Sequence, residues 1–114
     1  MLVFKPEAEI YIRTGRTDMR KQINGLAALV QNDMKRSPFA GAYYLFCGRG
    51  RRTLKLLYWD RSGFALWQKK LEKHRFPWPE EESTAHRLTA EQIGWLLAGI
   101  DFFQAHEELR FSRV

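Results

Sequence analysis

Two apolar, β-favouring runs, residues 54–59 and 64–67, stand on either side of Asp60-Arg61-Ser62-Gly63, and this pairing most narrows what the chain can fold into. A short polar insert ending in glycine between two such runs marks a hairpin, with the glycine suited to the φ > 0 position of the loop. A three-residue loop, Arg61-Ser62-Gly63, sets Lys55 opposite Lys69. Like charges directly opposed destabilise a sheet, so a face carrying that pair is expected to favour a bound anion. A second turn, Gly48-Arg49-Gly50-Arg51-Arg52, leads back to the run 42–47. The expected unit is a three-stranded antiparallel meander whose first loop is Gly and Arg.

Charge is segregated in the same block. Residues 49–75 hold nine Lys/Arg against Asp60 and Glu72, a net of +7, while the remainder of the +6 chain is close to neutral. A cationic field confined to one segment is the footprint of a protein that meets a polyanion.

The flanking segments supply the cover that a sheet needs. Residues 8–13 read as a strand, with Pro6 tolerable before it. Met19, Ile23, Leu26, Ala27, Val30 and Met34 recur at steps of three and four, which predicts an amphipathic helix over 18–34, with Thr17 as N-cap and Asp18 set against the positive end of its dipole. Gly25 lies inside it, and Ser37-Pro38 ends it. Beyond the meander, Pro77 and Pro79 exclude a central strand and leave an extended or edge path, followed by a Glu80-Glu81-Glu82 loop. Thr89-Ala90-Glu91-Gln92 has the spacing of a capping box, and a second helix over 90–98 is expected to end near Gly99.

The order β-α-β-β-β-α predicts an α+β fold: a mostly antiparallel sheet with a three-stranded meander and two amphipathic helices on one face. With 114 residues, 45% of them hydrophobic, the chain can bury one core, so residues 1–103 are read as a single domain and 104–114 as a C-terminal tail. Trp59 and Trp67 are assigned to the core and Trp78, between two prolines, to the surface. One cysteine, Cys47, sits in an apolar run and is expected to be a buried hydrophobe in a reducing cytoplasm. No apolar run reaches 18 residues and the N-terminus does not resemble a signal peptide, so neither membrane insertion nor secretion is expected.

Several strings together carry a family likeness. Thr14-Gly15-Arg16-Thr17-Asp18-Met19-Arg20-Lys21, Gly25-Leu26, residues 46–49 and 54–60, Gly63-Phe64, Leu66-Trp67, Lys70-Leu71-Glu72, residues 75–79 and residues 97–101 resemble the small accessory protein, TnpB or Orf2-like, of insertion sequence sixty-six elements. The likeness spans about residues 8–102, and the tail after Phe103 departs from it. The resemblance implies a bacterial mobile-element protein made beside a separate, larger transposase. It supplies no catalytic or metal residues.

The residues themselves give little to catalysis. Asp18, Asp33, Asp60 and Asp101 lie at expected helix ends or turns, and His74, His86 and His106 are scattered without ligand spacing. A two-metal site needs convergent carboxylates. No enzyme activity, metal or cofactor is expected. Phosphate binding has two candidate places: the segment 14–21 at the start of the first helix, with Arg16, Arg20 and Lys21, and the Gly-Arg loop with Arg49, Arg51 and Arg52. Lys55, Lys69, Lys70, Lys73 and Arg75 complete the expected contact set. Trp59, Trp67 and Trp78 interleave with these cations, a composition that also suits base stacking on single strands. The leading expectation is a non-enzymatic accessory factor of DNA transposition that touches nucleic acid through this basic face. The alternative is an adaptor that docks on the transposase or another element-encoded protein without DNA.

Overall fold

The computed structural model describes Phe4, residues 7–80 and residues 84–98. Its elements run β1 (Ile10–Arg13), α1 (Ile23–Asn32), β2 (Tyr43–Cys47), β3 (Thr53–Asp60), β4 (Gly63–Lys70), β5 (Ala85–Leu88) and α2 (Ala90–Leu97). The five strands form one sheet in the order β4-β3-β2-β1-β5. β2, β3 and β4 make the expected antiparallel meander. β1 pairs with β2 in parallel through the α1 crossover and with β5 antiparallel, so the sheet is mixed. The fold class is α+β. The expected C-terminus of α2 at Gly99 and the tail 104–114 lie outside the described residues.

The two helices cover opposite faces, where a single covered face was expected. Side chains alternate across a strand, and the central strands here are apolar on both sides. Ile10, Ile12, Leu45, Cys47, Leu54 and Leu56 point to one core, closed by Ile93 and Leu96 of α2 together with Phe76 and Trp78. Tyr11, Tyr44, Phe46 and Leu57 point to the other, closed by Leu26, Val30 and Met34 from α1 and its exit. A sheet buried on both faces needs a cover for each. Thr89 forms the capping box with Gln92 as expected. Cys47 is buried, and burial pushes its thiol up to about 12.

Both hairpin details differ from the sequence reading. Asp60 pairs with Gly63, leaving a two-residue loop, and Arg61, at φ 51°, takes the left-handed position instead of Gly63. The register then sets Lys55 opposite Gln68 and Lys69 opposite Leu54. A one-residue shift moves a side chain to the other face of a sheet. The two lysines are therefore not opposed, and no repelling pair remains to attract an anion.

The helix also starts later than its apolar stripe. α1 begins at Ile23 after Gln22, which makes no side-chain cap, so neither Thr17 nor Asp18 caps it. Asp18 instead closes a local turn, accepting the N–H of Arg20 on its carboxylate at 2.9 Å and that of Lys21 on its carbonyl at 3.1 Å. The strand expected over 8–13 is confined to Ile10–Arg13. β5, for which no strand was expected, carries one buried side chain, Leu88.

Trp78 reverses its expected placement. It is 6% exposed, and its indole N–H donates to the carbonyls of Arg13 and Gly15, each at 3.0 Å. Trp59 and Trp67 are only half-buried, with Trp59 packed edge-on against Phe64 and Phe39. Trp78→Ala is expected to lower stability by about 3–5 kcal/mol, the usual range for a buried aromatic truncated to Ala, and Trp59→Ala by clearly less. Urea denaturation of the two variants checks the order.

Candidate nucleic-acid interface

All but two of the cations nominated from the sequence surround one end of the sheet, in two adjoining loops and the strap beside them. The Gly-Arg loop joins β2 to β3 at the carboxyl end of β2. Gly48 donates its N–H to Thr53 at 3.0 Å and Arg51 donates to Gly48 at 3.0 Å, with Arg51 at φ 57° turning the chain back. The 14–22 segment leaves the carboxyl end of β1, the parallel neighbour of β2, and the N–H of Thr17 donates to the Cys47 carbonyl at 2.9 Å. The two candidate phosphate places are thus one surface. A shallow open groove between them is lined by Arg16, Thr17, Asp18, Met19, Arg20 and Arg49.

The glycine at 48 serves this junction. A Cβ there would lie 2.6 Å from Cγ of Met19, so the bare backbone is what lets the 14–22 segment lie against the loop. Leu71 donates its N–H to Arg52 at 2.7 Å and Phe76 donates to Arg51 at 2.6 Å, which wraps the strap 71–76 around the same loop and brings Lys70, Lys73 and Arg75 to this end. Arg16, Arg20, Lys21, Arg49, Arg52, Lys70, Lys73 and Arg75 are exposed, and Arg51 is half-buried.

Two nominated lysines have other duties. Lys55 is 1% exposed, and its ammonium donates to the carbonyls of Met19 and Lys21, each at 2.9 Å. It cannot touch a ligand at the surface, and its place is that of a positioning residue beneath the 14–22 segment. Lys69 lies on the α2 face, half-buried, with its ammonium 3.4 Å from the Leu97 carbonyl at the end of that helix.

Other residues that hold this surface escaped the sequence reading. Arg13 donates to the Arg16 carbonyl at 2.7 Å and to the Thr17 hydroxyl at 3.0 Å, and forms an ion pair with Asp33 at 2.7 Å. The signal available for Lys55 was its position as the lone charge inside an otherwise apolar run destined for the middle of a sheet, where an ammonium needs acceptors. Asp18 is the one acidic side chain in the groove. Its side-chain hydrogen bonds from Arg20 hold its carboxyl down at about 2, below the usual 3.8.

The arrangement is that of a small α+β domain with one cationic end built on the carboxyl ends of two parallel strands. Among the described residues no three His, Cys, Asp or Glu side chains cluster as a metal site. The family of IS66 Orf2 like proteins matches residues 8–107, and the chain belongs to that family, with a transposition-associated accessory role. It is similar to the uncharacterized protein y4hO of Sinorhizobium fredii (strain NBRC 101917 / NGR234), 36% identical over 114 residues that cover 100% of this chain and 99% of the relative. Protein y4jC of the same organism is 33% identical over 93 residues, 82% of this chain and 80% of its own length. No solved structure matches. Among the described residues no helix is long and apolar enough to cross a membrane.

Two outcomes are expected from this geometry. Lys55→Met strips the Met19 and Lys21 carbonyls of their donor, which is worth about 1–3 kcal/mol; urea denaturation should show that loss, and the amides of Thr17, Arg20 and Lys21 should exchange with deuterium faster than in the parent. The Asp18 interaction, its folded value being depressed, is fully present above pH 3.8 and lost as pH falls through about 2. Carboxyl NMR titration should find that midpoint, and Arg20→Ala should return it toward the ordinary aspartate value.

Proposed function

We propose that this chain is a non-enzymatic accessory factor of DNA transposition that holds nucleic-acid phosphates on the cationic end of its sheet. The observation that carries this is the convergence of the Arg16–Arg20 segment and the Arg49–Arg52 loop, 33 residues apart in sequence between Arg16 and Arg49, on one groove. Exposed arginines there can take phosphate oxygens bidentately, and the open shape suits an extended backbone more than a small ligand. Such contacts fix position on a duplex without reading its sequence.

The non-enzymatic part rests on the state of the candidate groups. Asp18 is tied to Arg20 and Asp33 to Arg13. Cys47 is buried with its thiol held far from ionisation, the opposite of a reactive cysteine.

Replacing Arg16, Arg49 and Arg52 together by Ala tests the reading. These side chains are exposed, so the thermal midpoint should hardly move. Arg51 is spared because its left-handed backbone and its carbonyl, which accepts from Phe76, belong to the loop's frame. The slope of log affinity for duplex DNA against log salt should flatten by about 2.7, at about 0.9 for each phosphate no longer neutralised, and equally for unrelated sequences. An unchanged slope together with failure to capture the cognate transposase would establish instead that the basic end docks on an acidic protein surface. Magnesium-dependent cleavage of DNA by the purified parent protein, abolished by Asp18→Asn or Asp33→Asn, would overturn the non-enzymatic assignment.

A further inference from the structure

The two edges of the sheet are built differently. β5 is a four-residue edge bearing His86 and Arg87, short and charged in the manner of protected edges. β4 is the opposite edge, eight residues long, without proline and without a break in its register from Gly63 to Lys70. Phe64, Ala65, Leu66 and Trp67 form its middle, and charge appears only at Lys69 and Lys70. Among the described residues no strand pairs with its outer side.

We infer that β4 is an interface on which a second copy of this chain docks, the two β4 strands pairing antiparallel about a two-fold axis to make one continuous ten-stranded sheet. Self-pairing of this kind is isologous, so each residue finds its partner twice. The register follows from the ladder. Leu71 donates its N–H to Arg52 in phase with the β3–β4 pairing, so the odd-numbered residues of β4 turn their backbone groups toward β3 and the even-numbered ones turn them outward. Phe64 and Leu66 point to the α1 core, whereas Trp67 points to the α2 core. A two-fold axis normal to the sheet keeps like faces together, which requires odd residues to meet odd and even to meet even.

Centring the axis on Leu66 satisfies both conditions. Leu66 then exchanges backbone hydrogen bonds with Leu66 of the other copy, and Phe64 with Gln68. Trp67 of one copy lies against Ala65 of the other, a large ring on a methyl, twice over. Lys69 of one copy faces Gly63 of the other, and across that bare glycine, on the next strand and the same face, stands Asp60, which is exposed and in no ion pair among the described residues. Lysine thus meets a carboxylate at each end of the interface and never another lysine. A parallel pairing would set Lys69 on Lys69, which is unfavourable.

Sedimentation equilibrium of the full chain tests this. The parent protein is expected to be a dimer. Gln68→Pro removes an outward N–H that β3 does not use, at an exposed edge position where proline is tolerated; it should be monomeric with the parent's circular dichroism. Asp60→Lys should weaken the dimer several-fold, and combining it with Lys69→Asp should restore it, a rescue that a merely misfolded variant would not give. A parent protein that stays monomeric at the highest soluble concentration would overturn the inference. So would a Gln68→Pro dimer as tight as the parent, or a charge swap that fails to recover the affinity that Asp60→Lys removes.

Discussion

A single buried ammonium sets the geometry of the cationic end. Lys55 projects from the third position of β3, opposite Phe46, into a face otherwise filled by Tyr44, Leu57 and the α1 side chains. An ammonium placed there must find acceptors, and it finds the carbonyls of Met19 and Lys21. In a helix begun at Asp18 those carbonyls would accept from Ile23 and Gly25. The first helical bond observed runs instead from Leu26 to Gln22, and the residues ahead of it become the exposed segment that carries Arg16 and Arg20. Lys55 thus serves two of the carbonyls that a longer helix would have used.

That loop is fastened from every side, which separates it from an ordinary surface connection. Trp78 and Arg13 hold its first half through the Gly15 and Arg16 carbonyls, Gly15 donates to Pro79 at 2.8 Å, and Met19 rests on the Cα of Gly48. Exposed guanidinium groups on a fixed backbone lose less freedom on meeting phosphate than they would on a floppy one. The buried aromatic and ionic residues thus act on the surface without reaching it.

What the sequence disclosed was whatever depended on periodicity and local turn chemistry. The apolar runs 42–47, 54–59 and 64–67 with the turns between them gave the meander, Thr89 with Gln92 gave the start of α2, and the stripe from Met19 to Met34 gave the body of α1. The likeness to the IS66 family was readable from its TGRTDMRK and LKLLYWD strings, and the family match agrees. Misplaced features were those decided by tertiary partners. Trp78 looked like a surface ring between prolines because the carbonyls that satisfy its N–H lie 63 and 65 residues away. Lys55 looked like one more basic side chain for the same reason. The hairpin loop was misjudged by one residue, since Arg61 accepted the left-handed backbone that a glycine would ordinarily take. β5 had a single core residue and so no period to read.

The strand order has a kinetic consequence. β1 sits between β2 and β5, so the first strand made cannot have both neighbours until the last has been made, and Thr14 meets Thr84 across 70 residues of chain. The meander, with its short turns, closes locally and early, whereas the β1–β5 ladder has a large loop-closure entropy to overcome. During synthesis the nascent chain therefore holds β1 with one open side until Leu88 has left the ribosome.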